Sequence, residues 1–199
     1  QPVSADQLAE DRFAVDGTPT DCVNLAIHGL LPRKPDLVVS GINRGSNLAD
    51  DITYSGTVAA AMEAMLMKVP ALAVSLDVSS SPVPDYHYAA HYAYVIARQI
   101  LEHGLPHDTF LNLNVPQGQP KGLKITRQGK RIYDNKVEKK LDPRGRTYYW
   151  LGGNLLGFNR QKDCDCGAVA DGYASLTPLH LDLTNYQSVQ YLSGWELDS

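Results

Sequence analysis

An α/β fold built on a mostly parallel sheet is predicted by three stretches read in order. Leu37, Val38 and Val39 form an unbroken apolar run with β-branched residues, which suits a strand buried on both faces. Ser55, Gly56 and Thr57 open the run VAAAMEAMLM, whose Ala, Met and Leu content favours helix. Lys68-Val69-Pro70 then stops that helix, and ALAVSL at 71–76 reads as a second buried strand. Strand, helix, strand is a βαβ unit. A right-handed crossover makes the two strands parallel and puts the loop before the helix on the same rim as the helix start.

The other elements follow in sequence. The stretch QPVSADQLAED has no apolar period, and the chain opens on Gln1, so residues upstream of it are expected in the natural protein. Residues 12–15 form a strand candidate that leads into the turn pair Asp16-Gly17. Thr18 is placed to cap a helix, Pro19 fits its first position, and Asp21 completes a variant capping box. Cys22, Val23, Leu25, Ala26 and Leu30 give that helix one apolar face, and His28 on it has no partner one turn away. After a Ser/Pro loop at 79–84, a long helix is predicted over 85–103, with Gly104 closing it. His87 and His91 near its start have i,i+4 spacing but no H-E-x-x-H context, so a metal reading is weak there.

FLNLNVP at 110–116 reads as a strand alternating apolar residues with Asn. LKITRQ at 123–128 and TYYWLGG at 147–153 read as strands of a second sheet or a long hairpin. Between them RIYDNKVEKKLDPRGR is charged and poor in apolar residues, with a turn at Asp142-Pro143-Arg144-Gly145. That composition predicts an arm buried only against another subunit, with a mobile loop as the alternative. A further strand is expected over 172–179 and a short helix over 186–195.

Composition narrows the function. With 199 residues and 43% hydrophobic content, the chain can bury one sizeable core. A net charge of −4 offers no basic footprint for a nucleic acid polymer, though a small phosphorylated ligand remains open. No stretch approaches the ~20 apolar residues of a membrane span, and no signal peptide is visible. Cys22, Cys164 and Cys166 are odd in number, so they read as ordinary thiols of a reducing cytoplasm rather than a disulfide framework. C-x-C without a second ligand pair is a poor zinc signal.

The chemistry is expected at the end of the first strand of the βαβ unit. Asn43, Arg44, Ser46, Asn47, Asp50 and Asp51 lie in a polar loop at a strand's carboxyl end, where ligands bind in open α/β sheets. The first N–H groups of the following helix have no intrahelical partner and carry the positive end of its dipole. A phosphate satisfies both. Gly56 allows close approach, while Ser55 and Thr57 add hydroxyls; the plainer alternative is that Ser55 is only an N-cap.

GTPTDCV at 17–23, PDLVVSGINRGSNL at 35–48, YSGTVAAAME at 54–63, PALAVSL at 70–76, DPRGRTYYWLGG at 142–153 and GYASLTPLHLDLT at 172–184 resemble the SurE family, stationary-phase survival proteins with metal-dependent nucleotidase activity. The resemblance runs through nearly the whole chain in consistent order. It implies a Rossmann-like α/β core at 1–127, a hairpin arm for oligomerisation at 128–150, and a C-terminal strand and helix segment at 151–199 exchanged between subunits. It further implies a homodimer or homotetramer, and hydrolysis of nucleoside monophosphates to nucleoside and phosphate with one divalent metal ion, Mg²⁺ or Mn²⁺.

Residue by residue, the resemblance makes Asn43, the asparagine of S-G-I-N, a metal ligand. It makes Ser55, Gly56 and Thr57 the phosphate cradle and brings Asn47 to the phosphate or its water shell. The family's adjacent aspartates in N-D-D-G, one of them placed to activate the attacking water, and the serine of an R-S-G loop are expected upstream of Gln1. Asp50 and Asp51 are not taken as substitutes. A dinucleotide-dependent oxidoreductase is excluded on motif, because G-I-N-R-G-S-N places asparagines where backbone approach needs glycines. The remaining alternative is an inactive phosphate-binding or scaffold module.

Overall fold

The computed structural model describes residues 2–79, 83–133, 137–151, 155–158 and 163–195. In chain order its elements begin with a hairpin of β1 (Ala5–Ala9) and β2 (Arg12–Val15), α1 (Pro19–Leu25) with a π turn over Ala26–Leu30, and β3 (Val38–Arg44). A 3-10 helix (Ala49–Tyr54), α2 (Gly56–Leu66), β4 (Ala71–Asp77), α3 (His87–His103) and β5 (Phe110–Pro116) follow. The second half holds β6 (Leu123–Ile125), β7 (Arg131–Tyr133), β8 (Val137–Leu141), β9 (Thr147–Leu151), β10 (Leu155–Phe158), α4 (Asp165–Ala170), β11 (Ala174–Leu179) and α5 (Tyr186–Leu192).

The main sheet has the order β3-β4-β5-β11-β6. β3, β4 and β5 run parallel, β11 is antiparallel to β5, and β6 is parallel to β11. This is a mostly parallel, Rossmann-like sheet with helices on both faces. The period of two in β4 explains the layering. Ala71 and Ala73 turn to one face, where α2 packs closely through Val58, Ala61 and Ala64, joined by Phe110 and Leu179. Leu72, Val74 and Leu76 turn to the other, where α3 supplies Ala89, Ile96 and Ile100. Small residues of β4 therefore face α2 and large ones face α3. A third cluster, Leu48, Ala49, Cys164, Cys166 and Val169, joins α4 to the loop after β3.

Several boundaries differ from the sequence expectation. Asn43 and Arg44, expected in a polar loop, belong to β3, because a bulge between Ser40 and Asn43 lets pairing with β4 resume at Asn43–Ser75. Val39, expected in a strand buried on both faces, is 47% exposed because β3 lies at the sheet edge. β1 has no apolar period and is exposed throughout; it forms by pairing with β2, a contact that periodicity does not register. β6 joins the main sheet through β11 rather than a second sheet, while β8 and β9 make the expected hairpin around Asp142–Gly145. The capping box of Thr18 and Asp21 is present at α1, and Asp21 is held below the usual carboxylate range by hydrogen bonds from Thr18. Gly152 and Gly153, read as the end of a strand, lie outside the described residues.

Candidate functional site

The carboxyl ends of β3 and β4 and the start of α2 share one rim, and each is shaped by a residue whose type is dictated locally. Gly41 sits at φ +122° in the bulge, and a Cβ there would lie 2.3 Å from Val74 O, so only glycine fits. The bulge returns Asn43 to register opposite Ser75. Asn43 Nδ2 donates to Gly45 O at 2.9 Å, which fixes the amide. Its Oδ1, the only atom of that group able to ligate a hard cation, therefore faces away from Gly45.

Asn47 is buried, and its hydrogen bonds to β4 and β5 fasten the loop to the sheet. Its N–H donates to Asn114 Oδ1 at 2.8 Å, and its C=O accepts from Nδ2 of Asn112 and of Asn114, each at 3.0 Å. Its own Nδ2 donates to Ser75 Oγ at 2.6 Å. One of the two Nδ2 protons is thus engaged with Ser75. Sequence reading did not identify Ser75, Asn112 or Asn114 as loop anchors. Their signal was present: polar residues at alternate positions of strands whose neighbours are wholly apolar.

At α2, Ser55 is the N-cap, its Oγ accepting from Val58 N–H at 3.1 Å and its C=O from Ala59 N–H at 2.9 Å. Ser55 thus caps the helix. It leaves the amides of Gly56 and Thr57 as the donors at the positive end of an 11-residue helix. Gly56 has a packing role as well, since a Cβ there would come within 3.1 Å of Pro19 Cγ, the residue that starts α1. Gly56 is exposed and Thr57 half-buried, so both stay accessible on the rim.

Asp50 and Asp51 fall in the first turn of the 3-10 helix, where acids complement its dipole. Asp51 Oδ2 also forms an ion pair with Arg131 Nη1 at 2.5 Å. His28 is exposed on the π turn, and His87 and His91 each make an edge-on ring contact with the following tyrosine. Cys164 and Cys166 are buried free thiols in the third cluster. Burial, then the neighbouring Asp165, pushes the Cys166 thiol up to about 12.

Among the described residues no group of three or more His, Cys, Asp or Glu is placed to hold a metal ion. Asn43 Oδ1 fits as one neutral oxygen ligand of a hard cation; the described residues supply no carboxylate pair beside it. No described helix is long and apolar enough to cross a membrane.

Comparison with known proteins accounts for the arrangement. Residues 1–135 match the family described as Survival protein SurE. The chain is 58% identical over 196 residues to the 5'-nucleotidase SurE of Syntrophotalea carbinolica, covering 98% of this chain and 78% of that protein. It is 54% identical over 201 residues to the 5'-nucleotidase SurE of Geobacter sulfurreducens, covering 100% of this chain and 76% of that one. The crystal structure of the SurE protein from Aquifex aeolicus superposes with a TM-score of 0.83 at 43% identity, over 97% of this chain and 80% of that chain. With a family match over two thirds of its length and relatives above half identity across nearly all of it, the chain belongs to the SurE family.

Proposed function

We propose that this chain is a 5'-nucleotidase that hydrolyses nucleoside monophosphates to nucleoside and phosphate, with one divalent metal ion, Mg²⁺ or Mn²⁺, as cofactor. The observation that carries the reading is the shared rim. The donors at the start of α2 and the fixed amide of Asn43 stand at the carboxyl ends of β3 and β4, in a chain whose relatives are named for this activity.

In this reading the amides of Gly56 and Thr57 and the Thr57 hydroxyl receive the phosphate oxygens. The helix start opposes the negative charge that grows on them as water adds to phosphorus and the ester oxygen departs with the nucleoside. Ser55 sets the direction of those donors through its cap, and Asn47 holds the loop between them and Asn43. Asn43 Oδ1 would be one ligand of the cation, whose chemistry when bound would be to polarise a phosphoryl oxygen and lower the pKa of a bound water.

The same reading gives a homodimer or homotetramer in the cytoplasm. In its support, the β8–β9 hairpin exposes Val137, Leu141 and Tyr149, and the C-terminal segment exposes Leu183, Tyr186, Tyr191 and Trp195. Apolar surface of this kind suits burial against another copy. The activity is tested by incubating the full-length protein with a nucleoside 5'-monophosphate and separating the products. Equal amounts of nucleoside and orthophosphate are expected; the free base with ribose phosphate, or unchanged substrate, would overturn the reading.

A further inference from the structure

The root of the arm reaches back onto the loop that carries the site. Arg131, at the start of β7, has a side chain only 12% exposed; besides its ion pair with Asp51, its Nη2 donates to Ser46 Oγ at 3.3 Å. Its backbone N–H reaches Asp50 Oδ2 at 3.4 Å. The arm root at Arg131 is thus docked on the loop of residues 46–51.

Asp165, almost wholly buried, holds the same loop from beneath. Its Oδ2 accepts from Ala49 N–H at 2.8 Å and its Oδ1 from Gly129 N–H at 2.8 Å. A Cβ on Gly129 would lie 2.7 Å from Asp165 Oδ1, so the arm root must be glycine for the carboxylate to bridge the two segments. Ala49 is held at φ +52°, a conformation that L residues with a side chain rarely adopt, and its C=O accepts from Gln128 Nε2 at 3.1 Å. Such a backbone persists only where surrounding contacts over-determine it.

We propose that Arg131 and Asp165 are positioning residues for phosphate-ester hydrolysis: by clamping residues 46–51 between the arm root and α4, they hold Asn43 and the start of α2 in their working relation. Neither touches the reacting atoms. Arg131 acts through Asp51 and Ser46, and Asp165 through Ala49, on a loop whose other side is fastened to Ser75 and Asn114. The proposal rests on the nucleotidase reading, and it makes the arm root part of the catalytic core while the hairpin beyond it serves assembly.

The test uses the full-length protein and the variants Arg131→Met, Arg131→Lys, Asp51→Asn and the Arg131→Met/Asp51→Asn double. Phosphate release from a nucleoside 5'-monophosphate gives kcat and KM, and amide hydrogen exchange reports on residues 46–51. Arg131→Met is expected to lower kcat about tenfold with KM changed less than about threefold. Arg131→Lys should recover part of that loss, and the double variant should be no worse than the poorer single. Exchange in the loop should quicken while β4 and β5 keep their protection. A folded Arg131→Met protein with wild-type kcat, or additive losses in the double, would overturn the positioning role. Wild-type protein that releases no phosphate would overturn the nucleotidase reading itself.

Discussion

Asn47 Nδ2 donates to Ser75 Oγ across 2.6 Å, joining the loop after β3 to the carboxyl end of β4 by a bond buried at both ends. Asn114 completes the anchor by bonding both the N–H and the C=O of Asn47. Asn114→Ala removes both bonds and strands the buried Asn47 N–H, while the Asn47 C=O keeps its bond from Asn112, at a cost of about 1–3 kcal/mol. Urea unfolding should show the loss, and phosphate release by the folded fraction should fall with it. Full stability in this variant would mean that the loop is held elsewhere.

Gly41→Ala is expected to be still more damaging. The left-handed backbone and the approach of Val74 O to 2.3 Å of an added Cβ both oppose it, and the obstacle is a carbonyl of β4 that cannot swing aside. The strain and the lost β3–β4 pairing together are on the order of 3 kcal/mol or more. Thermal denaturation of the variant, or its failure to accumulate in soluble form, checks this. Ala at 41 with an unchanged melting temperature would contradict the bulge geometry.

The three thiols should separate by reactivity. Cys166 is buried with its pKa pushed up to about 12, so it stays a neutral thiol throughout the physiological range and gains thiolate character only as pH rises toward that value. Cys164 is likewise buried, while Cys22 is half-exposed on α1. At pH 8 a thiol reagent should titrate one cysteine in the native protein and three after unfolding in guanidinium. Three fast-reacting thiols in the native protein would show the third cluster to be open.

Removing residues 137–151 and closing the gap with a short turn should lower the oligomer seen by light scattering, since the β8–β9 hairpin contacts itself and exposes its apolar side chains. Because this deletion keeps Arg131, phosphate release should fall only modestly. An unchanged oligomer would exclude the hairpin from assembly.

The βαβ unit was legible because its signals are local: a β-branched apolar run, a cap at Ser55 and an alanine-rich helix each declare themselves within a few residues. The helix cap at Thr18 and Asp21 was legible for the same reason. What the sequence hid depends on partners far along the chain. β1 exists by pairing with β2, and α4 is too short to show a period. Asn112 and Asn114 announced only a polar alternation; their role appears when the loop folds back on them from 65 and 67 residues away. Arg131 and Asp165 looked like ordinary charges, one in an arm and one beside two cysteines, until the fold set them on opposite sides of Ala49 and Asp51. Asn43 and the α2 start drew attention by motif, whereas the cap that Ser55 makes to Val58 N–H appears only in the fold.

In the proposed reading, Asn43 Oδ1 would be one ligand of the divalent cation that hydrolysis at this rim requires. The most direct test of that reading is a titration of metal-stripped full-length protein with Mn²⁺ or Mg²⁺, following phosphate release from a nucleoside 5'-monophosphate for wild type and Asn43→Ala. Activity should be absent without metal and restored by it. Asn43→Ala should need roughly 10- to 100-fold more metal for half-restoration or show a comparable loss in rate, with its melting temperature little changed. Superimposable titrations for the two proteins, or full activity of the stripped protein in chelator, would contradict the account.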